Sequence, residues 1–136
     1  MRTAKFKNYK MSDDTYKLRT QVMDIIYNAK KYAPDLPRLD VRVGKASGNV
    51  LGSARMGENK IWIDVNKIGK KDLVSVVLHE ILHAVYSTPH DKKCDLMSPE
   101  LRPMSNAKAY QTFGQYITRY KNRRQNEAMV SNAVNE

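Results

Sequence analysis

Residues 73–86 read Leu-Val-Ser-Val-Val-Leu-His-Glu-Ile-Leu-His-Ala-Val-Tyr. Leu73, Val74, Val77, Leu78, Ile81, Leu82 and Val85 recur at the spacing of one apolar helix face. His79 and His83, four positions apart, stand one turn apart on the same side, where two imidazoles can hold one metal ion. Glu80 projects roughly 100° around the axis from His79, because ~3.6 residues make a turn, so it stands beside the ion without ligating it. Two histidines and a glutamate are costly to bury in so apolar a helix unless they have a partner. A base next to a metal-activated water is the arrangement that zinc-dependent peptide hydrolysis requires.

Upstream, the chain supplies the rest of a small α+β fold. Asp13 and Asp14, with Ser12, offer helix caps, and Leu18, Val22, Ile25, Ile26 and Ala29 follow at helical steps. This helix should end near Tyr32, ahead of Pro34 and Pro37. Leu39, Val41 and Val43 alternate with Asp40 and Arg42 as a half-buried strand, and residues 44–49 are rich in turn formers. Residues 50–56 read as a second strand weakened by Gly52. Gly57-Glu58-Asn59 is a hairpin turn leading to a third strand with Ile61, Ile63 and Val65 on one face. Asp72 is the expected cap of the histidine-bearing helix, which should end at Tyr86 or Ser87, before Pro89.

Downstream, residues 90–104 are polar and proline-bearing, and should be irregular. Asn106 can cap a last helix with Tyr110, Phe113, Ile117 and Tyr120 facing inward. From Arg123 onward the chain is polar and should fray, with Met129 and Val134 able to dock. The expected architecture is one α+β domain, 1–136, with residues 1–11 and 125–136 loose. A short mixed sheet packs on the first and metal-bearing helices, and a C-terminal helix completes it.

Composition narrows the partners. The chain has 136 residues, enough for one real core, and no apolar run approaching the ~20 residues that span a bilayer. The basic amino terminus lacks the apolar stretch of a signal peptide, so a cytoplasmic location and no membrane partner are the expectations. A single cysteine, Cys94, excludes an internal disulfide framework and multi-thiolate zinc sites, and reads as a small packed hydrophobe. The net charge of +10 favours acidic partners, nucleic acid among them. Its densest group is Arg119, Lys121, Arg123 and Arg124; without a nucleic-acid signature motif, that group reads as a solvated helix end.

A catalytic zinc site usually takes three protein ligands and leaves a fourth position open. His90, Asp91, Asp95 and Glu100 are the downstream candidates for the third. His90 follows a helix end and Pro89, so a chain that turns back can present it to the metal.

The pattern His79-Glu80-x-x-His83, a reversal, then His90-Asp91 resembles the metzincin zinc peptidases, whose third histidine follows on a loop leading to a methionine turn. Asp95-Leu96-Met97-Ser98-Pro99-Glu100-Leu101 is similar to that turn and to the wall segment of matrixin-type members. Leu51-Gly52-Ser53-Ala54 and Lys60-Ile61-Trp62-Ile63-Asp64 are similar to their edge strand and its neighbour. The likeness spans about residues 39–120. It implies zinc on His79, His83 and His90, with Glu80 as general base and proton donor to the leaving amine. It further implies that Met97 forms a packed base under the metal and that Pro99 and Leu101 line the primed side. Leu51, Gly52, Ser53 and Ala54 would pair with an extended protein or peptide substrate. The family places five residues between its second and third histidines and leaves the helix through a glycine. Here six residues, 84–89, intervene, and none is glycine. Among residues 1–78 no propeptide or cysteine switch is expected.

Three functional classes therefore stand: a zinc endopeptidase, a basic nucleic-acid- or protein-binding module that keeps a zinc site without turnover, and a nucleic-acid-associated peptidase. An intact Glu80 argues for turnover, since a structural zinc site has no use for it and favours four closed ligands.

Overall fold

The computed structural model describes residues 6–8, 13–64 and 66–134. They form a small α+β domain of three α-helices and a four-stranded mixed sheet. In chain order these are β1 (Phe6–Asn8), α1 (Asp13–Ala29), β2 (Asp40–Ala46), β3 (Gly52–Ala54), β4 (Lys60–Asp64), α2 (Leu73–Tyr86) and α3 (Asn106–Val134). The sheet runs β1-β2-β4-β3, with β2 and β4 parallel and both outer strands antiparallel to their neighbours. Helix α1 packs on β2, and α2 lies across β3 and β4 and against α1. Helix α3 closes the other side of α2.

The core is where the helical and strand periodicities converge. Val22, Ile26 and Ala29 of α1, Val41, Ile61 and Ile63 of the sheet, and Val77, Leu78, Ile81 and Leu82 of α2 are all buried, with Phe113 and Ile117 of α3. No helix of the described residues is long and apolar enough to cross a membrane.

Several element ends differ from the sequence reading, each for a local reason. Strand β2 continues through Gly44 and Ala46, a stretch rich in turn formers, because β1 pairs with those residues and the Asp64 carboxylate accepts the Ala46 N–H at 2.8 Å. Strand β1 itself is three residues long and held by main-chain pairing, so it leaves no hydrophobic periodicity to read. Strand β3 is confined to Gly52–Ala54. The turn before β4 is where it was placed, with Gly57 at φ 83°.

A 3-10 turn over Lys70–Asp72 starts α2, so Asp72 is helical in φ and ψ and its side chain makes no cap bond. Ser105 rather than Asn106 caps α3: its Oγ accepts the Lys108 N–H at 3.2 Å. That helix extends past Arg123 to Val134. The cap assigned to Ser12 and the inward position assigned to Val65 fall outside the described residues, as do most of residues 1–11 and the side chains of Met129 and Val134.

Candidate metal centre and cleft

Helix α2 presents its histidines at the end where it leaves the core. His79 is half-buried and His83 buried, while His90 is exposed on the following loop. Their ring centroids are separated by 4.6 Å (79 to 83), 5.2 Å (79 to 90) and 4.7 Å (83 to 90). One ligand atom from each of the three lies within 4.8 Å of the others.

Hydrogen bonding fixes how two of the rings point. His79 Nδ1 donates to the Leu96 carbonyl at 2.7 Å, and His83 Nδ1 donates to the Thr88 carbonyl at 2.6 Å. A carbonyl only accepts, so both Nδ1 atoms carry the proton and both Nε2 atoms are bare. Those two Nε2 atoms face each other at 3.0 Å. Two lone pairs aimed at one another could share a cation beside them. Nitrogens bound to one zinc at ~2.0–2.1 Å stand roughly 3.3 Å apart, close to what is seen. Burial pushes His79 down to about 4 and lowers His83 as well, which keeps both rings neutral and able to ligate. The residues fit a divalent metal with imidazole affinity.

The helix ends without a glycine. Ser87 takes the left-handed conformation, φ 50° and ψ 34°, and is the only described non-glycine residue with positive φ. Its N–H and that of Thr88 both reach the Leu82 carbonyl. The six-residue spacer thus turns back without glycine and brings the Thr88 carbonyl onto His83 and the His90 ring to the cluster.

Glu80 is 6% exposed, and burial raises its carboxyl to about 8. Its Oε1 lies 3.7 Å from His79 Nε2, and its Oε2 has no hydrogen-bond partner among the described residues. Gly52 makes this seat possible. A Cβ there would stand 3.1 Å from Glu80 Cγ and 3.1 Å from the Trp62 carbonyl oxygen. The glycine that weakens β3 as a strand is therefore what lets the strand lie against the carboxylate.

A cleft of about 630 Å³ opens over these groups. Its floor is His79, Glu80 and His83, one wall is Leu51, Gly52, Ser53 and Ala54, and the other includes Leu96, Pro99, Glu100 and Leu101. The edge-strand and wall residues singled out in the sequence thus line one cavity with the histidines. Ser75 and Val76 also line it and were not singled out. They precede His79 by four and three positions, so helical spacing is the signal that finds them. Met97 is fully buried in the core, next to the Leu96 carbonyl that holds His79.

The alternative ligands lie outside the histidine cluster. Asp91 accepts from Tyr116 Oη at 3.5 Å and from the Lys93 N–H at 2.9 Å. Asp95 pairs with Arg102 at 3.3 Å and Lys108 at 3.9 Å. Glu100 is exposed on the cleft wall, outside the histidine cluster. Cys94 is partly buried against the core and is not in the cluster either.

Comparison with protein-family models, curated proteins and solved structures finds no match to this chain.

Proposed function

We propose that this protein is a zinc-dependent endopeptidase of metzincin type. The observation that carries the reading is the pair of bare Nε2 atoms on one helix turn with an unpartnered buried carboxylate between them and an edge strand. His79, His83 and His90 would hold the ion, with the Leu96 and Thr88 carbonyls fixing two of the rings. A zinc ion there supplies Lewis acidity, which brings the pKa of a bound water from 15.7 to ~7 and polarises the scissile carbonyl.

The chain's own groups do the rest. Glu80, which burial alone would leave protonated at neutral pH, would be held ionised by a cation on the adjacent histidines. It then takes one proton from the attacking water as the water oxygen bonds to the carbonyl carbon, and passes it to the amine nitrogen as the C–N bond breaks. Gly52 lets the sheet pack against the Glu80 side chain, which is 6% exposed at the floor of the cleft. In β3 the register pairs Ser53 with Trp62, and Asp64 N–H donates to the Leu51 carbonyl at 2.8 Å. Antiparallel alternation then turns the N–H and C=O groups of Gly52 and Ala54 to the open edge. An extended substrate can add there as a strand, which explains recognition by main chain more than by side chain.

The test is a set of three variants assayed for zinc content and for cleavage of a fluorogenic peptide library. Glu80→Ala should retain zinc while kcat/KM falls by at least about 100-fold, the scale of a lost general base. His90→Ala should lose zinc, and Glu100→Ala should keep it. Full activity in Glu80→Ala would end the mechanism. Undiminished zinc in His90→Ala would end the metzincin assignment.

A further inference from the structure

The cleft and metal cluster account for one side of the molecule; the far half of α3 is not used by them. Ile117 is the last buried residue described on this helix, and every side chain from Lys121 to Glu127 is exposed. The helix nevertheless continues to Val134, so about 25 Å of it, at ~1.5 Å per residue, follows Ile117.

This segment is cationic and orderly. Arg119 lies over the Tyr116 ring at 5.3 Å, and Arg123 and Arg124 lie over Tyr120 at 5.9 and 5.4 Å. Tyr120 is itself set edge-on against Tyr86 at 5.1 Å, so the rings that hold the guanidiniums are anchored in the body of the domain. None of these three arginines pairs with a carboxylate among the described residues, whereas Lys121 reaches Asp35 at 3.6 Å. Lys92 and Lys93 are exposed on the loop that Asp91 ties to Tyr116.

The remaining exposed positions decide the class of partner. Asn122, Gln125 and Asn126 flank the arginines, and residues 118–127, where the guanidiniums stand, interleave no Leu, Ile, Val, Phe or Trp with them; Met129, Val130 and Val134 follow only beyond this stretch. A helix that inserts into a lipid surface needs such residues on one face. Arginine with asparagine and glutamine is instead the set that contacts phosphates, sugars and base edges. A single uncovered helix also fits the major groove of duplex DNA, ~12 Å wide.

We infer that the projecting half of α3, through Arg119, Arg123 and Arg124, is a docking helix for duplex DNA. This surface is independent of the peptidase reading, and its test measures no hydrolysis. Binding of the full chain to a fluorescent 25-base-pair duplex is followed by anisotropy between 50 and 200 mM salt (about the range in which counterion release is read). The double variant R123Q/R124Q should bind about tenfold or more weakly, and its log-log salt slope should be smaller by about 2. The charge-matched pair K70Q/K71Q, at the other end of α2, should bind like the unmodified chain. R123K/R124K, which keeps the charge, should retain most of the affinity, and circular dichroism should show equal helix content throughout. Equal losses in the two Gln pairs would reduce the effect to net charge and overturn the inference. So would absence of binding at 50 mM salt, or equal affinity for polyglutamate, phosphatidylserine vesicles or single-stranded DNA of the same length.

Discussion

Ser87 shows how much one residue can settle. An L-residue in the left-handed region costs roughly 1–2 kcal/mol, and glycine removes that cost while losing roughly 0.5–1 kcal/mol more chain entropy on folding. Ser87→Gly should therefore raise stability by about 0.5–1 kcal/mol in a urea melt, with zinc content unchanged. An unchanged or lower midpoint would mean that Ser87 does not hold the left-handed turn. Gly52 works in the opposite sense, since only the absence of a side chain lets β3 reach Glu80. Gly52→Val should displace the carboxylate and lower kcat/KM by roughly 10–100-fold, the cost of a misplaced catalytic group, while zinc is retained. Equal activity in that variant would show that the close approach is incidental. His79, Glu80 and His83 were legible in the sequence because their spacing alone puts them on one turn. Neither Ser87's conformation nor Gly52's contact was legible, because each depends on what packs opposite.

At the scale of elements, Asp64 joins three pieces of chain. Its carboxylate is 1% exposed and accepts N–H groups from Ala46 of β2 and from Asn66 and Lys67 beyond β4, at 2.8–2.9 Å. Lys67 Nζ, 3.5 Å away, also bonds the Ala46 carbonyl. Burial by itself would raise the carboxyl; these three N–H bonds and the lysine outweigh it and hold it below the usual range. A depressed folded-state value means that the stabilisation is present above the unfolded value of ~3.9 and is lost as pH falls through the folded one. Asp64→Asn should cost about 2–3 kcal/mol at pH 7, and the gap to the unmodified chain should shrink toward pH 3. A gap that is constant with pH would assign the cost to shape and not to charge. No local pattern signals this role. Asp64 ends an alternating strand and looks like one more solvated turn residue. The longer β2 and the three-residue β1 escaped reading for the same cause, since main-chain pairing and a distant carboxylate hold them.

For the whole molecule, the histidine cluster is a junction of separate parts of the chain. The His79 ring is held from the loop after α2, the His83 ring from the spacer, and Glu80 from the sheet. Occupancy of such a junction should stabilise the entire domain. With zinc at 100 times its Kd the gain is about 2.7 kcal/mol, read as a rise in Tm that chelator reverses. Glu80→Ala should show the same rise, and His79→Ala and His83→Ala should show little or none. A rise of equal size in the histidine variants would place the ion elsewhere.

Local pattern was enough to read the helix of residues 73–86, its two histidines and glutamate, the alternation of β4 and the inward face of α3. Each of these is a periodicity within one element, set by backbone geometry. Packing between segments brings His90, and not Asp91 or Glu100, into the cluster and puts Ser87 in the left-handed position at the end of α2. It also decided that a glycine on an edge strand makes room for a buried carboxylate. Those outcomes depend on distances between segments far apart in the chain, and no local spacing encodes them.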